Sequence, residues 1–179
     1  QKTQFSSIRL EKAVAIRSSY PDLPGPKLLE SNLAQGWYRE EKIVGLPINR
    51  TSNSEKINKA LSSAKLFLDA IYSESMKNEK FSVWIEGRSK NIQDAISTLP
   101  SCYTDNDIHE IEFIKNLLFT SCHNLIHEDY QVKVSQSHGD FQDANLLLPS
   151  VPDMREVYII DWEYADLRCT HYDWFVYGL

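Results

Sequence analysis

The sequence of 179 residues lacks both a long apolar run and a cluster of positive charge. No apolar stretch approaches the roughly 20 residues that a membrane-spanning helix requires, so no membrane span is expected. Lys and Arg number 19 against 25 Asp and Glu, which gives a net charge of −6. A nucleic-acid-binding protein needs clustered positive charge to meet phosphates, so the sequence also argues against a nucleic-acid partner.

Cysteine and glycine are both scarce. Cys102, Cys122 and Cys169 are an odd number at wide spacing and form no CxxC pair, which favours a reducing compartment over a disulfide framework. The first residues contain no apolar signal-peptide core, and a cytoplasmic location is therefore expected. The six glycines never form a GxGxxG pattern, so these residues contain no glycine-rich phosphate loop.

Apolar periodicity predicts the order of the elements at the start of the chain. A helix over residues 5–19 should end at PDLPGP (21–26), because proline cannot continue the helical hydrogen bonds. KLLES (27–31) and GWYREEKIVG (36–45) are rich in strand-forming residues, and each is expected to form a strand.

The middle of the chain is predicted to be helical. One helix should run from Asn53 to about Tyr72, with an apolar stripe formed by Ile57, Leu61, Ala64, Leu68 and Ile71. Residues 81–100 are expected to hold at most one short helix. A further helix, capped by Asp105 or Asn106, should run to about His127. Its predicted stripe consists of Ile111, Ile114, Leu118 and Leu125.

Three short strand-like runs follow the helices, in VKVSQ (132–136), ANLLL (144–148) and EVYIID (156–161). Glycine or proline separates successive runs. The fold class predicted from this order is α+β, with a small sheet portion that leads into a larger helical part.

A dense set of polar residues stands in SHGDFQDANLLLPS (137–150). Asp140 follows His138 and Gly139 on a loop between two predicted strands, where an aspartate can accept the proton of a hydroxyl group. Asn145 lies five positions later and offers an amide oxygen to a hard cation such as magnesium.

A second carboxylate ends the next apolar strand, in VYIIDWE (157–163). Asp161 lies 16 residues after Asn145, which is enough for a hairpin to return the chain to the same site. A carboxylate at the edge of an apolar strand is costly to desolvate unless it meets a cation. The residues themselves therefore indicate a magnesium site beside a candidate general base.

HGDFQDAN together with IIDWE resembles the catalytic and metal-binding loops of the aminoglycoside phosphotransferase and choline kinase group, which are protein-kinase-like small-molecule kinases. The resemblance implies that Asp140 is the catalytic base, that His138 braces its loop, and that Gly139 supports it. Asn145 and Asp161 are implied as ligands of Mg²⁺, and Glu163 as a weaker one. Asp173, in HYDWF, would anchor the catalytic loop.

The resemblance extends to the N-terminal part of the chain. GWYREEKIVGLPI is similar to the strand and hinge that join the two lobes of these kinases, so that Glu41, Lys42 and Ile43 would bind the adenine of ATP. Glu11 would be the helix carboxylate that pairs with a phosphate-binding lysine. The implied organisation is a partial N-lobe with the hinge over 1–45, and a mainly helical partial C-lobe with the catalytic hairpin over 46–179.

The chain also departs from the family pattern. It contains no glycine-rich loop, no strand with the phosphate-binding lysine before the Glu11 helix, and few residues after Asp173. Two interpretations follow: these residues are part of a longer kinase, or they form a noncatalytic pseudokinase. The first implies transfer of the γ-phosphoryl group of MgATP to a hydroxyl of a small molecule, such as an aminoglycoside, choline-like compound, sugar or amino alcohol.

Two other readings of the residues are weaker. Cys122, His123, His127 and Glu128 stand close together in CHNLIHE, but the catalytic glutamate of an HExxH zinc site is absent. A set of aromatic residues near the end of the chain could enclose a quaternary ammonium group, although such sets more often belong to a core. These residues are Trp162, Tyr164, Tyr172, Trp174, Phe175 and Tyr177.

Overall fold

The structure, a computed structural model, describes residues 4–97, 103–127, 130–150 and 155–178. Helices and short antiparallel strands both contribute, so the prediction of an α+β fold is confirmed. The helices are α1 (Gln4–Ser19), α2 (Ser54–Ser75), α3 (Phe81–Ser97), α4 (Asp105–Ser121), α5 (His123–His127) and α6 (Tyr172–Tyr177). The strands are β1 (Leu28–Asn32), β2 (Trp37–Glu40), β3 (Gly45–Pro47), β4 (Lys77–Lys80), β5 (Gln131–Ser137), β6 (Leu146–Pro149), β7 (Tyr158–Ile159) and β8 (Asp166–Cys169).

The chain forms two compact units. The first unit consists of Gln1–Met76 and Ser135–Leu179, and the second of Lys77–Val134. The lobe boundary between residues 45 and 46 concerns the lobes of the kinase family, and it stays a prediction.

Two antiparallel sheets lie entirely within the first unit. β1 and β2 form a hairpin, in which Asn32 pairs with Trp37. β3, β6 and β7 form a second sheet in that spatial order, with Leu46 opposite Leu148 and Leu146 opposite Ile159. Because β6 and β7 are antiparallel neighbours, residues just before β6 lie beside residues just after β7.

The core of the first unit is built on α2. The buried residues of this helix are Ala60, Ala64, Leu68, Ile71 and Tyr72, and Ile57 and Leu61 pack against the same cluster. The predicted stripe of α2 is therefore confirmed. The cluster also contains residues from α1, the strands and the loops, namely Ile16, Leu23, Ile48, Phe141, Leu146, Val157, Ile159, Trp162 and Ala165.

The second unit contains β4, α3, α4, α5 and the first half of β5. Lys77 pairs with Val134 and Lys80 with Gln131 across the β4–β5 ladder. The ring of Phe81, at the start of α3, lies 6.4 Å from the ring of Tyr130. Phe81 is the buried residue of α3, and it packs this helix against the residue that precedes β5.

Two helical predictions in the second unit were wrong. The segment predicted to hold at most a short helix forms α3, a helix of 17 residues, and Gly87 sits in it with no atom near its missing side chain. The helix predicted from 105 to 127 ends at Ser121, and its cap is Thr104, which forms a capping box with Asp107. Its predicted stripe is not buried, because Ile114 and Leu118 are both more than half exposed.

Most of the other predicted helices and strands agree with the structure. α1, β1, β5, β6 and β7 lie where the sequence indicated them. The strand predicted over 36–45 is shorter, since β2 ends at Glu40 and the chain to Val44 is irregular. None of the helices among the described residues combines the length and the apolar content that a membrane span requires.

The core of the first unit gives a direct test of its packing. Leu68 is completely buried, whereas Leu66, two residues earlier on α2, is 72% exposed. Leu68→Ala should lower the free energy of unfolding by about 2–5 kcal/mol because it leaves a cavity. Leu66→Ala should change it by less than about 0.5 kcal/mol. Urea denaturation measures both, and equal effects would contradict the assigned face of α2.

Candidate functional site

The carboxylate of Asp173 holds the start of the polar loop, which is defined here as residues 138–145. The backbone N–H groups of His138 and Gly139 donate to its two oxygens, each at 2.8 Å. The hydroxyl of Tyr72 donates to Oδ2 at 2.9 Å. Asp173 is only 1% exposed, so these donors replace the water that its charge has lost.

The Tyr72 hydroxyl remains a donor over the ordinary pH range. Burial, and next the negative charge of Asp173, raise the pKa of Tyr72 well above its usual value. The phenol therefore stays protonated beside the carboxylate. The polar loop is in this way tied both to α6, which carries Asp173, and to α2, which carries Tyr72.

His138 is fully buried, and both of its ring nitrogens have partners. Nε2 lies 2.8 Å from the carbonyl oxygen of Ile160, and Nδ1 accepts from the N–H of Asp140 at 3.2 Å. These partners assign a neutral ring that is protonated on Nε2. Burial lowers the pKa of His138, which agrees with the neutral form. The ring also packs against Trp162, with centroids 4.5 Å apart.

Gly139 occupies a position that no other residue fits. Its φ is +89°, and an added Cβ would overlap the carbonyl oxygen of Tyr164 and lie 2.6 Å from Nη1 of Arg168. The same guanidinium donates to the hydroxyl of Ser137 and to the Tyr164 carbonyl. The glycine thus allows the loop to lie directly on the chain that follows Asp161.

The carboxylate of Asp140 is oriented by two amides. Nε2 of Gln142 donates to both of its oxygens at 3.1 Å. Nδ2 of Asn145 donates to Oδ2 at 3.0 Å and to the backbone oxygen of Asp140 at 2.9 Å. Because the nitrogen of the Asn145 amide faces Asp140, its oxygen Oδ1 is the atom that can meet a cation.

Asp161 is brought next to Asn145 by the β6–β7 ladder. The N–H of Ile160 donates to the backbone oxygen of Asn145 at 3.0 Å, and Asp161 follows immediately. Asp161 is exposed and has a left-handed backbone, with φ 67° and ψ 54°. Such a conformation costs about 1 kcal/mol or more for a residue with a Cβ, and aspartate tolerates it better than most.

The oxygens of Asn145 and Asp161 suit magnesium. This ion usually takes one or two protein oxygens and completes its shell with water and phosphate. No three His, Cys, Asp or Glu side chains group closely enough to hold a metal ion within the described ranges. Glu163, the third predicted ligand, instead accepts from Nη1 of Arg9 at 3.2 Å, so the geometry does not support a metal-binding role for it.

A cavity of about 470 Å³, called the Ile43 cavity here, brings the predicted hinge and Asp161 together. It is lined by Pro26, Tyr38, Glu40, Glu41, Lys42, Ile43, Leu147, Ile160 and Asp161. The segment 41–44 lies outside the strand ladders and is held at both ends. The N–H of Glu41 donates to Lys27, and the carbonyl of Val44 accepts from Ser150, each at 2.9 Å.

The charged residues that line the Ile43 cavity have a net negative charge, and Arg17, which is not in this lining, pairs with one of the carboxylates. Glu40 pairs with Nη2 of Arg17 at 2.8 Å, and the Arg17 side chain is 4% exposed. Burial raises the pKa of Glu40, the charge of Arg17 acts to lower it, and the charge of Asp161 raises it again. Two carboxylates therefore influence each other in this cavity.

A second cavity of about 570 Å³, the Asp140 cavity, is lined partly by residues of the polar loop. Its lining consists of Asn49, Asp140, Phe141, Gln142, Asp143, Ala144, Val176 and Tyr177. The Tyr177 hydroxyl donates to Asp143, and burial raises the pKa of Tyr177 above its usual value. Asp140 thus faces a space large enough for a small organic molecule.

Other predicted residues are not brought to these cavities. Glu11 is exposed on α1 and lines neither of them, so its nucleotide role stays a prediction. Cys122 is a free, partly buried thiol, while Cys102, Glu128 and the side chain of His127 lie outside the described residues. Among the aromatic residues near the end of the chain, Trp162 is buried in the core and Phe175 is 71% exposed. These two side chains therefore do not line a common ligand site.

Sequence reasoning missed Tyr72, Gln142 and Arg168. The sequence pattern places Tyr72 at the end of an apolar helix, where a phenol on a buried stripe requires a polar partner. Gln142 lies inside the quoted motif, and its spacing from Asp140 could have suggested a contact. Arg168 donates a hydrogen bond to Ser137, about 30 positions earlier in the chain. No local sequence pattern predicts a contact between residues so far apart.

The comparisons with known proteins provide no relative: no family model matches this chain, and no curated protein does. Functional assignment therefore depends on the residues and their geometry.

The buried neutral ring of His138 predicts a pH dependence of stability. Below the usual pKa of 6.5 the unfolded ring binds a proton, whereas burial holds the folded pKa lower. The unfolded state then binds more protons, so the free energy of unfolding falls as the pH falls below about 6.5. His138→Gln cannot titrate and should lose less stability than the wild type between about pH 7.5 and 5.5.

Denaturation by urea at several pH values measures this difference. His109→Gln is the matched control, because His109 is exposed on α4 and its replacement should keep the pH dependence of the wild type. Equal pH dependence in the wild type and His138→Gln would show that the ring is not held neutral in the folded state.

Proposed function

We propose that this protein is an ATP-dependent phosphotransferase that moves the γ-phosphoryl group to a hydroxyl of a small molecule. Its fold would be protein-kinase-like, with a partial N-lobe and hinge over 1–45. The observation that carries the proposal is that Asp161 and the segment 41–43 line one cavity, while Asp140 lines another. Asn145 lies between them, since its side chain contacts Asp140 and its backbone contacts Ile160.

The Ile43 cavity suits a nucleotide base. Pro26, Ile43, Leu147 and Ile160 supply apolar walls, which can pack against the faces of a planar ring. The backbone of Lys42 and Ile43 lies between two anchored residues and outside the ladders of β2 and β3. Its N–H and C=O groups are therefore able to pair with the edge of adenine.

The phosphate end of the nucleotide would point towards Asp161. Magnesium, when bound, neutralises the charge that develops on the phosphates. The oxygen of Asn145 and the carboxylate of Asp161 would hold it there. The left-handed backbone of Asp161 supports this role, because strained residues concentrate where their side chains must be aimed.

Asp140 would accept the proton of the acceptor hydroxyl. As the hydroxyl oxygen bonds to the γ-phosphorus, the bond from that phosphorus to the bridging oxygen of ADP breaks, and the proton passes to the carboxylate. Gln142 and Asn145 hold the carboxylate in one orientation before the acceptor arrives. The Asp140 cavity supplies the space for the rest of the acceptor.

The nucleotide site predicts a difference between two acidic residues that are two positions apart. Asp161→Asn should remove the part of nucleotide affinity that depends on magnesium, about tenfold or more, because a carboxylate ligand is lost. Glu163→Gln should leave that affinity unchanged, because Arg9 binds this side chain outside the cavity. Calorimetric titration with a nonhydrolysable ATP analogue, with and without Mg²⁺, measures both. Equal losses would refute the assignment of Asp161.

The catalytic assignment predicts a loss of turnover without a loss of binding. Asp140→Asn should lower kcat about 100-fold or more, the usual contribution of a general base, while nucleotide affinity and thermal stability stay close to wild type. Transfer of labelled γ-phosphate to a panel of aminoglycosides, choline-like compounds, sugars and amino alcohols measures it. Asp105→Asn, on the exposed start of α4, is the matched control.

The same assays test the noncatalytic alternative. Nucleotide binding without transfer to any alcohol would favour a pseudokinase or binding module. Full turnover by Asp140→Asn would remove the basis of the proposed mechanism.

A further inference from the structure

A third cavity has Glu41 of the segment 41–44 in its lining, and the proposed phosphotransferase function does not use it. It has a volume of about 330 Å³ and is called the Arg155 cavity here. All of its residues belong to the first unit. They are Arg17, Tyr20, Pro21, Leu23, Gly25, Pro26, Lys27, Leu28, Glu41, Arg155 and Tyr158.

Positive charge dominates the polar part of this lining. Three of its residues are cations and one, Glu41, is a carboxylate. The charge of Arg17 is matched by Glu40. Arg155 is different: its described contacts are the carbonyl oxygen of Leu23 and the ring of Tyr158, 5.8 Å away. Both contacts are neutral, and among the described residues no carboxylate forms an ion pair with this part-buried guanidinium.

A guanidinium without an ion-pair partner favours the binding of an anion. Removal of a charge from water is costly unless an opposite charge replaces the water. A guanidinium presents five N–H donors, and Arg155 directs one nitrogen at Leu23. A carboxylate or phosphate in the cavity can accept from the others in a charge-assisted pair, and Lys27 adds a second positive charge at the edge.

The remaining walls are apolar and rigid. Tyr20, Tyr158 and Leu28 supply apolar and aromatic surface, and Pro21 and Pro26 restrict the loop that carries them. A backbone hydrogen bond holds this loop on β7, because the carbonyl of Pro24 accepts from the N–H of Ile159. The cavity is thus formed before a ligand binds, which keeps the entropic cost of binding low.

We infer that the Arg155 cavity is a binding site for a small organic anion, a carboxylate or phosphate carried on an apolar ring. The charged group pairs with Arg155 and Lys27, and the ring packs between Tyr20 and Tyr158. Glu41 lies at the exposed edge and selects against ligands with a second negative group near the hinge. The site is distinct from the proposed nucleotide site, and Pro26 and Glu41 line both cavities.

Calorimetric titration of the full chain at low ionic strength tests the inference with three probes. Phenyl phosphate is expected to bind at one site, while phenol and inorganic phosphate bind at least about tenfold more weakly, since each lacks one of the two interactions. Added salt should weaken the phenyl phosphate affinity. Benzoate in place of phenyl phosphate distinguishes a carboxylate ligand from a phosphate ligand. Absence of saturable binding by both anions would overturn the inference.

Variants locate the site. Arg155→Gln should weaken phenyl phosphate binding about tenfold or more, because it removes the charge, while glutamine can still donate to Leu23. Lys27→Gln, at an exposed side chain, should weaken binding less and keeps the test valid if Arg155→Gln does not fold.

Lys56→Gln is the matched control, because Lys56 and Arg155 line a neighbouring cavity whose lining does not include Lys27. Loss of binding in Lys56→Gln, or unchanged binding in Arg155→Gln, would place the anion elsewhere and refute the site. No step requires nucleotide or turnover, so the outcome is separate from that of the proposed function.

Discussion

The geometry of the polar loop depends on one buried carboxylate. Asp173 accepts from two successive backbone N–H groups and from Tyr72, and hydrogen bonds to a charged group contribute about 1.5–3 kcal/mol each. The bonds reach across 34 and 35 residues to Gly139 and His138, and across 101 to Tyr72. The loop therefore reaches its shape only when α2 and α6 are both in place, and the positions of Asp140 and Asn145 follow from it.

From that anchor, two local devices aim the polar side chains. The neutral ring of His138 connects the backbone of Asp140 to the carbonyl of Ile160, so it links the polar loop to the residue that follows β7. The β6–β7 register then places Asp161 beside Asn145. Since the ladder fixes the backbone and two amides fix the Asp140 carboxylate, little conformational entropy is left to lose when a ligand binds.

The sequence predicted the elements that bury one continuous face and the motif whose residues are close together. α2 follows a 3.6-residue period because its stripe meets a single core. α4 buries no residue, so the spacing of its apolar residues does not predict which face of the helix packs against the protein. Its cap is formed by Thr104 together with Asp107. The contacts of Tyr72 and Arg168 with the loop join residues far apart in the chain, and such contacts follow from the fold rather than from local spacing.

The Arg17–Glu40 pair separates the charges of the two cavities that flank it. Arg17 lines the Arg155 cavity, and Glu40 lines the Ile43 cavity. In the Ile43 cavity, burial and the charge of Asp161 both raise the pKa of Glu40, and the charge of Arg17 lowers it. A cation held by Asp161 would also reduce the repulsion between the Asp161 and Glu40 carboxylates. Among the described residues, the lining of the Ile43 cavity therefore has an excess of negative charge and that of the Arg155 cavity an excess of positive charge, so a cation suits the first cavity and an anion suits the second.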